Sequence, residues 1–400
     1  MLSPIKMVLR FGQLSNFGFP KSFPFWKIRF GCKGTKNLRN ATLFHKKKVI
    51  KIVNRLCFIE SDDESRARTS FIYNKIKQTT KVSMNNSKYR GVVVPMVTPV
   101  TQDGRLDVEA VKRIINFFAD NKVSPLLMGT TGEGNSISLA DGQLLVETAV
   151  KARDEWAMEN DQCSSSNVQR STSNVQRIYA GLTGNCFAEQ VRQAEIYTAL
   201  GADVIVATLP TYYALTEEQM YEYYKTLADC ITGPLMLYNI LATTHMSIPV
   251  AVIRRLANHP NIVGLKDSER DSERMAQCIE IAKGRDDFAY FCGWAAQSAH
   301  ALELGGNGIV PSTGNYVPDM FQQLYDAAVA GDMTTANRLQ DETNEIAKIY
   351  QKDRTLGQSL TALKVMMCTK GLCEPWMLMP LTRLSADEEQ TIKDKVNALG

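Results

Sequence analysis

The sequence predicts an α/β fold, a TIM (β/α)8 barrel with additional C-terminal helices. Three observations lead there. From Tyr89 onward, eight short apolar runs alternate with amphipathic stretches, and successive βα units of this kind close a parallel sheet on itself. The residues capable of chemistry fall at the carboxyl ends of those runs, where barrels of this class carry their sites. The first run leads into Pro95-Met96-Val97-Thr98-Pro99. An open doubly wound sheet, the competing architecture, would normally place a glycine-rich phosphate loop there.

The strands expected are 91–97 (GVVVPMV), 124–129 (SPLLMG), 178–182 (IYAGL), 203–208 (DVIVAT), 234–239 (PLMLYN), 261–266 (NIVGLK), 288–292 (FAYFC) and 307–311 (NGIVP). They are short and nearly continuously apolar, as strands buried on both faces are. Helices are expected over 107–121, 139–156, 187–199, 217–230, 249–258, 271–283 and 295–304, where apolar residues recur at helical spacing. Four more follow at 319–330, 332–350, 355–370 and 385–398. The barrel is therefore expected over 85–315, and a helical region packed on it over 316–400. Gly305-Gly306-Asn307-Gly308 precedes the eighth strand on the rim opposite the chemistry, so it reads as a turn and not as a phosphate cradle.

Two segments stand apart. Residues 1–84 carry 18 Lys/Arg against 4 Asp/Glu, whereas the remaining 316 carry 28 against 38. The net charge of +4 thus belongs to a basic leader before a mildly acidic body, and nucleic-acid binding by the body is not suggested. The leader lacks hydrophobic periodicity and is expected to be poorly ordered. It reads either as an extension preceding a true start at Met84 or as an organelle transit peptide, basic and acid-poor as far as Glu60. The second segment is 159–176, where 165–170 and 172–177 nearly repeat. A single duplication makes a lengthened polar surface loop, not a solenoid.

Nine scattered cysteines without a CxxC pair fit reduced thiols in a cytosol-like compartment. With three dispersed histidines in the body, no metal site is indicated. No stretch approaches the roughly 18 apolar residues of a membrane span. A cytoplasmic protein is expected, or an organellar one if the leader is a transit peptide.

Lys266 ends the apolar run Ile262-Val263-Gly264-Leu265-Lys266-Asp267. A lysine at the end of a buried strand either reaches solvent or serves as a nucleophile, since desolvation favours the neutral amine. Its company favours the second. Thr130, Thr131 and Glu133 follow the second strand, Tyr212 and Tyr213 the fourth, and Tyr238 ends the fifth. A lysine imine withdraws electrons from an adjacent carbon–carbon bond. A tyrosine with a hydroxyl relay can shuttle the proton, and the turn Gly129-Thr130-Thr131-Gly132-Glu133-Gly134 suits a carboxylate. Glu133 also reads as a brace for that turn.

Gly129-Thr130-Thr131-Gly132-Glu133, Tyr212-Tyr213, Tyr238-Asn239 and Gly264-Leu265-Lys266-Asp267 resemble, in order, the motifs of the dihydrodipicolinate synthase/N-acetylneuraminate lyase family. The resemblance runs from about Tyr89 through the C-terminal helices. It implies a class I aldolase that joins or releases pyruvate without a cofactor, through a Schiff base on Lys266. It further implies Tyr238 as proton donor and acceptor, Thr130 as relay and Thr131 as carboxylate ligand. Tyr213 would complete the relay in a neighbouring subunit, which requires a homodimer or homotetramer. Val310 would offer a backbone contact to bound pyruvate.

Departures bear on the second substrate. The synthases place an arginine where this chain has Thr243, and the usual proline is Leu241. A hydroxyl cannot replace a bidentate guanidinium. Beyond Gly293-Trp294, where the sialic-acid lyases carry an acidic pair, stand Ala295-Ala296. The expectation is a pyruvate-linked aldolase or lyase acting on an unassigned 2-keto acid. The synthase and N-acetylneuraminate lyase activities are the enzymic alternatives, and a catalytically silent binding barrel is the other.

Overall fold

The computed structural model describes residues 88–160, 176–182 and 184–399. The leader 1–84 and all but the edges of the 159–176 insertion lie outside the described residues.

Eight parallel strands close in sequence order: β1 Gly91–Pro95, β2 Ser124–Leu127, β3 Tyr179–Leu182, β4 Val204–Thr208, β5 Leu235–Asn239, β6 Ile262–Asp267, β7 Ala289–Cys292 and β8 Gly308–Ile309. Helices α1 Val108–Asp120, α2 Leu139–Glu159, α3 Phe187–Ala199 and α4 Glu217–Cys230 lie between the first five strands. Next come α5 Leu241–Thr244 and α6 Val250–Leu256 before β6, then α7 Ser272–Lys283 and α8 Ser298–Glu303. The C-terminal set is α9 Pro318–Ala330, α10 Met333–Gln351, α11 Leu356–Thr369 and α12 Ala386–Asn397.

Several helices begin where a side chain satisfies the first turn. Asp107, Ser138 and Asp271 accept from backbone N–H groups of α1, α2 and α7, and Thr216 forms a capping box with Gln219 on α4. Strand alternation sorts side chains into two cores. Val93, Val206, Met236, Tyr179 and Phe291 fill the lumen. Val92, Val94, Ile205, Leu235 and Leu237 pack outward against the helices. The closing seam between β7, β8 and β1 is tight. A side chain at Gly308 would run into the Phe291 ring and come within 2.5 Å of the Gly91 carbonyl oxygen. Gly305, in the turn before β8, takes the left-handed φ of 97° that such a turn favours glycine for.

The expected elements are present, with local differences. The eighth strand is only two residues long. The helix expected over 295–304 opens as a 3-10 turn at Ala295–Gln297 before α8. The short α5 has no hydrophobic period to announce it, being a single turn closed by Thr244 Oγ1 donating 2.9 Å to the Ile240 carbonyl.

Two outcomes follow. Phe291 is fully buried, with its ring 6.2 Å from that of Tyr179. Phe291→Ala should cost about 3–5 kcal/mol, read as a lowered urea midpoint. Burial pushes the thiols of Cys278, Cys292 and Cys373 up to about 12, while Cys186 and Cys230 are exposed. Because the thiolate is the reactive form, iodoacetamide at pH 8 should label Cys186 and Cys230 and spare the buried three, as peptide mass spectrometry would show.

Candidate active site

β6 is buried along its whole length. Leu265 faces the helix layer, so Lys266 beside it turns into the lumen and Asp267 turns outward again. Lys266 is only 4% exposed, which sets aside the reading that it reaches solvent. Among the described residues it has no ion-pair partner. Its Nζ lies 3.8 Å from the centre of the Tyr238 ring. This proximity is built by strand register, because β5 and β6 pair Tyr238 with Lys266 and Asn239 with Asp267.

The Tyr238 hydroxyl is 3.3 Å from Thr130 Oγ1. Thr130 stands on a compact turn after β2, in which Gly134 N donates 3.2 Å to the Gly129 carbonyl and Glu133 N donates 3.2 Å to the Thr130 carbonyl. Thr98 Oγ1, beyond β1, donates 2.5 Å to the Gly132 carbonyl and ties the turn to the neighbouring strand. Thr130 and Tyr238 open onto a cavity of about 350 Å³. Thr208, Thr211 and Thr243 line it, as do Leu356, Leu360 and Leu381.

The remaining predicted residues fall as follows. Thr131 is buried next to Thr130. Thr243, on α5, lines the same cavity. Gly293 and Val310 sit just past β7 and β8, their N–H groups donating 2.7 Å to the Asp267 and Cys292 carbonyls. Both N–H groups are thus engaged by neighbouring strands. Tyr212 and Tyr213 are 76% and 72% exposed, their rings edge to face at 4.9 Å. Within the single chain, Lys266, Tyr238 and Thr130 are therefore brought together, while Tyr213 points to the surface. Among the described residues no group of three or more His, Cys, Asp or Glu is placed to hold a metal ion, and no helix is long and apolar enough to cross a membrane.

Two buried networks escaped the sequence reading. Behind the lumen, Asn239 Nδ2 donates to Asp267 Oδ1 at 2.8 Å and to Glu269 Oε2 at 2.9 Å. Arg274 Nε on α7 donates 2.8 Å to Asp267 Oδ2. Burial pushes the Asp267 carboxyl upward, and the Arg274 guanidinium opposes that shift without reversing it. Residues 239 and 267 each directly follow a lumen-facing residue, so this network clamps β5 to β6 where Tyr238 and Lys266 meet.

The second network involves Glu133, which holds a left-handed φ of 53°. Its Oε1 accepts 2.6 Å from Lys364 Nζ, and its Oε2 accepts 2.7 Å from Leu378 N. Lys364 also donates 2.7 Å to the Trp376 carbonyl. Glu133 thus braces the threonine turn, as one sequence reading had it, against a partner 231 residues away. A signal existed: Lys364 lies in the apolar run Leu360-Thr361-Ala362-Leu363-Lys364-Val365. Breaking one partner of a buried pair strands a charge at about 3–5 kcal/mol. Lys364→Met should show that loss in urea unfolding, and Lys364→Met with Glu133→Gln should recover most of it.

A barrel presenting a buried lysine, unpaired by any carboxylate among the described residues, beside a tyrosine on the next strand has the frame of a class I aldolase. Residues 88–399 match the model of the dihydrodipicolinate synthetase family, and the chain belongs to that family. It is an enzyme of the lyase and aldolase kind. A 4-hydroxy-tetrahydrodipicolinate synthase of Thiobacillus denitrificans is 28% identical over 310 residues, spanning 77% of this chain and 96% of its own. A probable 2-dehydro-3-deoxy-D-pentonate aldolase of Escherichia coli K12 is also 28% identical, over 316 residues, spanning 78% and 96%. The solved dihydrodipicolinate synthase of Bacteroides thetaiotaomicron superposes with a TM-score of 0.70 at 26% identity, covering 78% of this chain and 99% of its own.

Proposed function

We propose that the protein cleaves or forms the carbon–carbon bond beside a pyruvate unit through an imine on Lys266. The observation that carries this is the buried Lys266 amine against the Tyr238 ring, with the Tyr238 hydroxyl meeting Thr130 at the cavity. In the cleavage direction Nζ attacks C2 of a 2-keto acid and water leaves. Tyr238, relayed through Thr130, accepts the proton of the C4 hydroxyl. The C3–C4 bond breaks, its electron pair passes into the imine to give an enamine, and an aldehyde departs. Protonation at C3 and hydrolysis release pyruvate and restore the amine. Condensation runs the same steps in reverse.

Thr131 and its turn are assigned the substrate carboxylate, and the carbonyl of Val310 and backbone of Gly293 the floor around the pyruvate. The exposed Tyr213 suits a homodimer or homotetramer in which it completes a neighbour's relay. No external cofactor is required, because the imine nitrogen itself is the electron sink. The cysteines among the described residues are free thiols, which supports a reducing, cytoplasm-like compartment.

The substrate is assigned as a sugar-derived 2-keto acid in preference to the pair pyruvate and aspartate semialdehyde. Thr243 supports this, since it lines the cavity where the synthases carry a guanidinium. The synthase reading retains the support of relatives bearing that name. The intact lysine and tyrosine pair leaves a binding-only barrel without support.

Borohydride reduction in the presence of pyruvate, followed by peptide mapping, should place the adduct on Lys266 and lose it in Lys266→Ala. Tyr238→Phe should retain trapping yet lower turnover by about 10²–10⁴-fold. Folded wild-type protein that yields no adduct would overturn the proposal.

A further inference from the structure

The cavity that meets Thr130 and Tyr238 is not built by the barrel alone. Leu356 and Leu360, in the first turns of α11, and Leu381 beyond it line the same space. These pieces are locked together: a side chain at Gly357 would come within 2.7 Å of Leu381 Cδ2, and Thr361 Oγ1 donates 3.0 Å to the Thr382 carbonyl. They are also locked to the barrel. The Glu133 carboxylate holds Lys364 of α11 and the Leu378 amide at once, and Glu133 shares its turn with Thr130.

The charge on this surface is decisive. Among the described residues lining the cavity, Glu133 is the one charged side chain, and both of its oxygens are engaged. The hydroxyl-bearing Thr208, Thr211 and Thr243 line the same cavity as the leucines. A ligand carboxylate entering this end would lose water without meeting a cation, which is costly. A neutral chain could place hydroxyls on the threonines and its carbon backbone on the leucines.

We propose, resting on the aldolase reading above, that α11 and the Leu381 segment form the acceptor-facing wall of the site and select a short uncharged hydroxyaldehyde. The C-terminal helices then determine specificity, while the barrel supplies the bond chemistry.

The test compares glyceraldehyde with succinic semialdehyde as acceptors for pyruvate, in the full chain and in Leu356→Arg and Leu381→Arg. Both positions are at least partly accessible, and the ratio of the two kcat/KM values within one preparation does not depend on how much of a variant folds. Wild type should favour glyceraldehyde by at least about tenfold. Each arginine variant should lower that ratio by about fivefold or more, through the KM of the charged acceptor. Equal or better use of succinic semialdehyde by wild type would overturn the proposal, as would a ratio unmoved in both variants while Lys266 still traps pyruvate. Failure of wild type to trap pyruvate is a distinct result, which removes the aldolase reading and the acceptor wall with it.

Discussion

The register between β5 and β6 is the constraint on which the site depends, because it sets Tyr238 opposite Lys266 and Asn239 opposite Asp267. Strand alternation then gives each pair a different task. The first pair projects into the lumen, where the amine lies 3.8 Å from the tyrosine ring centre. The second projects outward, where Asn239, Asp267 and Arg274 fasten the strands to each other and to α7. A one-residue slip would exchange the two pairs and leave the lumen without its lysine. The polar clamp therefore holds register at the point where register has chemical consequences.

Among the described residues two lysines are buried, and the difference between them is instructive. Lys364 faces Glu133 at 2.6 Å and is a structural cation, holding a helix to a turn. Lys266, at 4% exposure, has a tyrosine ring for a neighbour and no carboxylate at ion-pair distance among the described residues. A buried amine fixed by a carboxylate is committed to an ion pair, whereas one without such a partner is available for attack on a carbonyl. Burial alone does not distinguish the two lysines. The group that each nitrogen meets does.

The C-terminal helices are more than a support. α9 and α10 pack against one another and the barrel, but α11 reaches the cavity with Leu356 and Leu360. The Glu133–Lys364 pair transmits that placement to the threonine turn, so the position of Thr130 and the position of the leucine wall are one structural fact. Such an arrangement lets the leucine lining of the cavity vary while the barrel strands keep the lysine and tyrosine in register.

Much of this was legible in the chain. Eight apolar runs and their helices specify the barrel, because a parallel strand covered on both faces must be continuously apolar. The strand-end positions of Thr130, Tyr238 and Lys266 specify one rim without coordinates. What stayed hidden were contacts between residues far apart in sequence. Lys364 and Lys266 look alike as lysines in apolar runs, and only the fold brings a carboxylate to one and an aromatic ring to the other. Asp267 reads as a strand-end acid until α7 presents Arg274 to it. Leu356, Leu360 and Leu381 read as ordinary packing residues until tertiary folding turns them toward the cavity. Local pattern determines which residues are buried, since burial follows from periodicity. What each buried group meets is decided by how the elements pack, and the chemistry depends on that meeting.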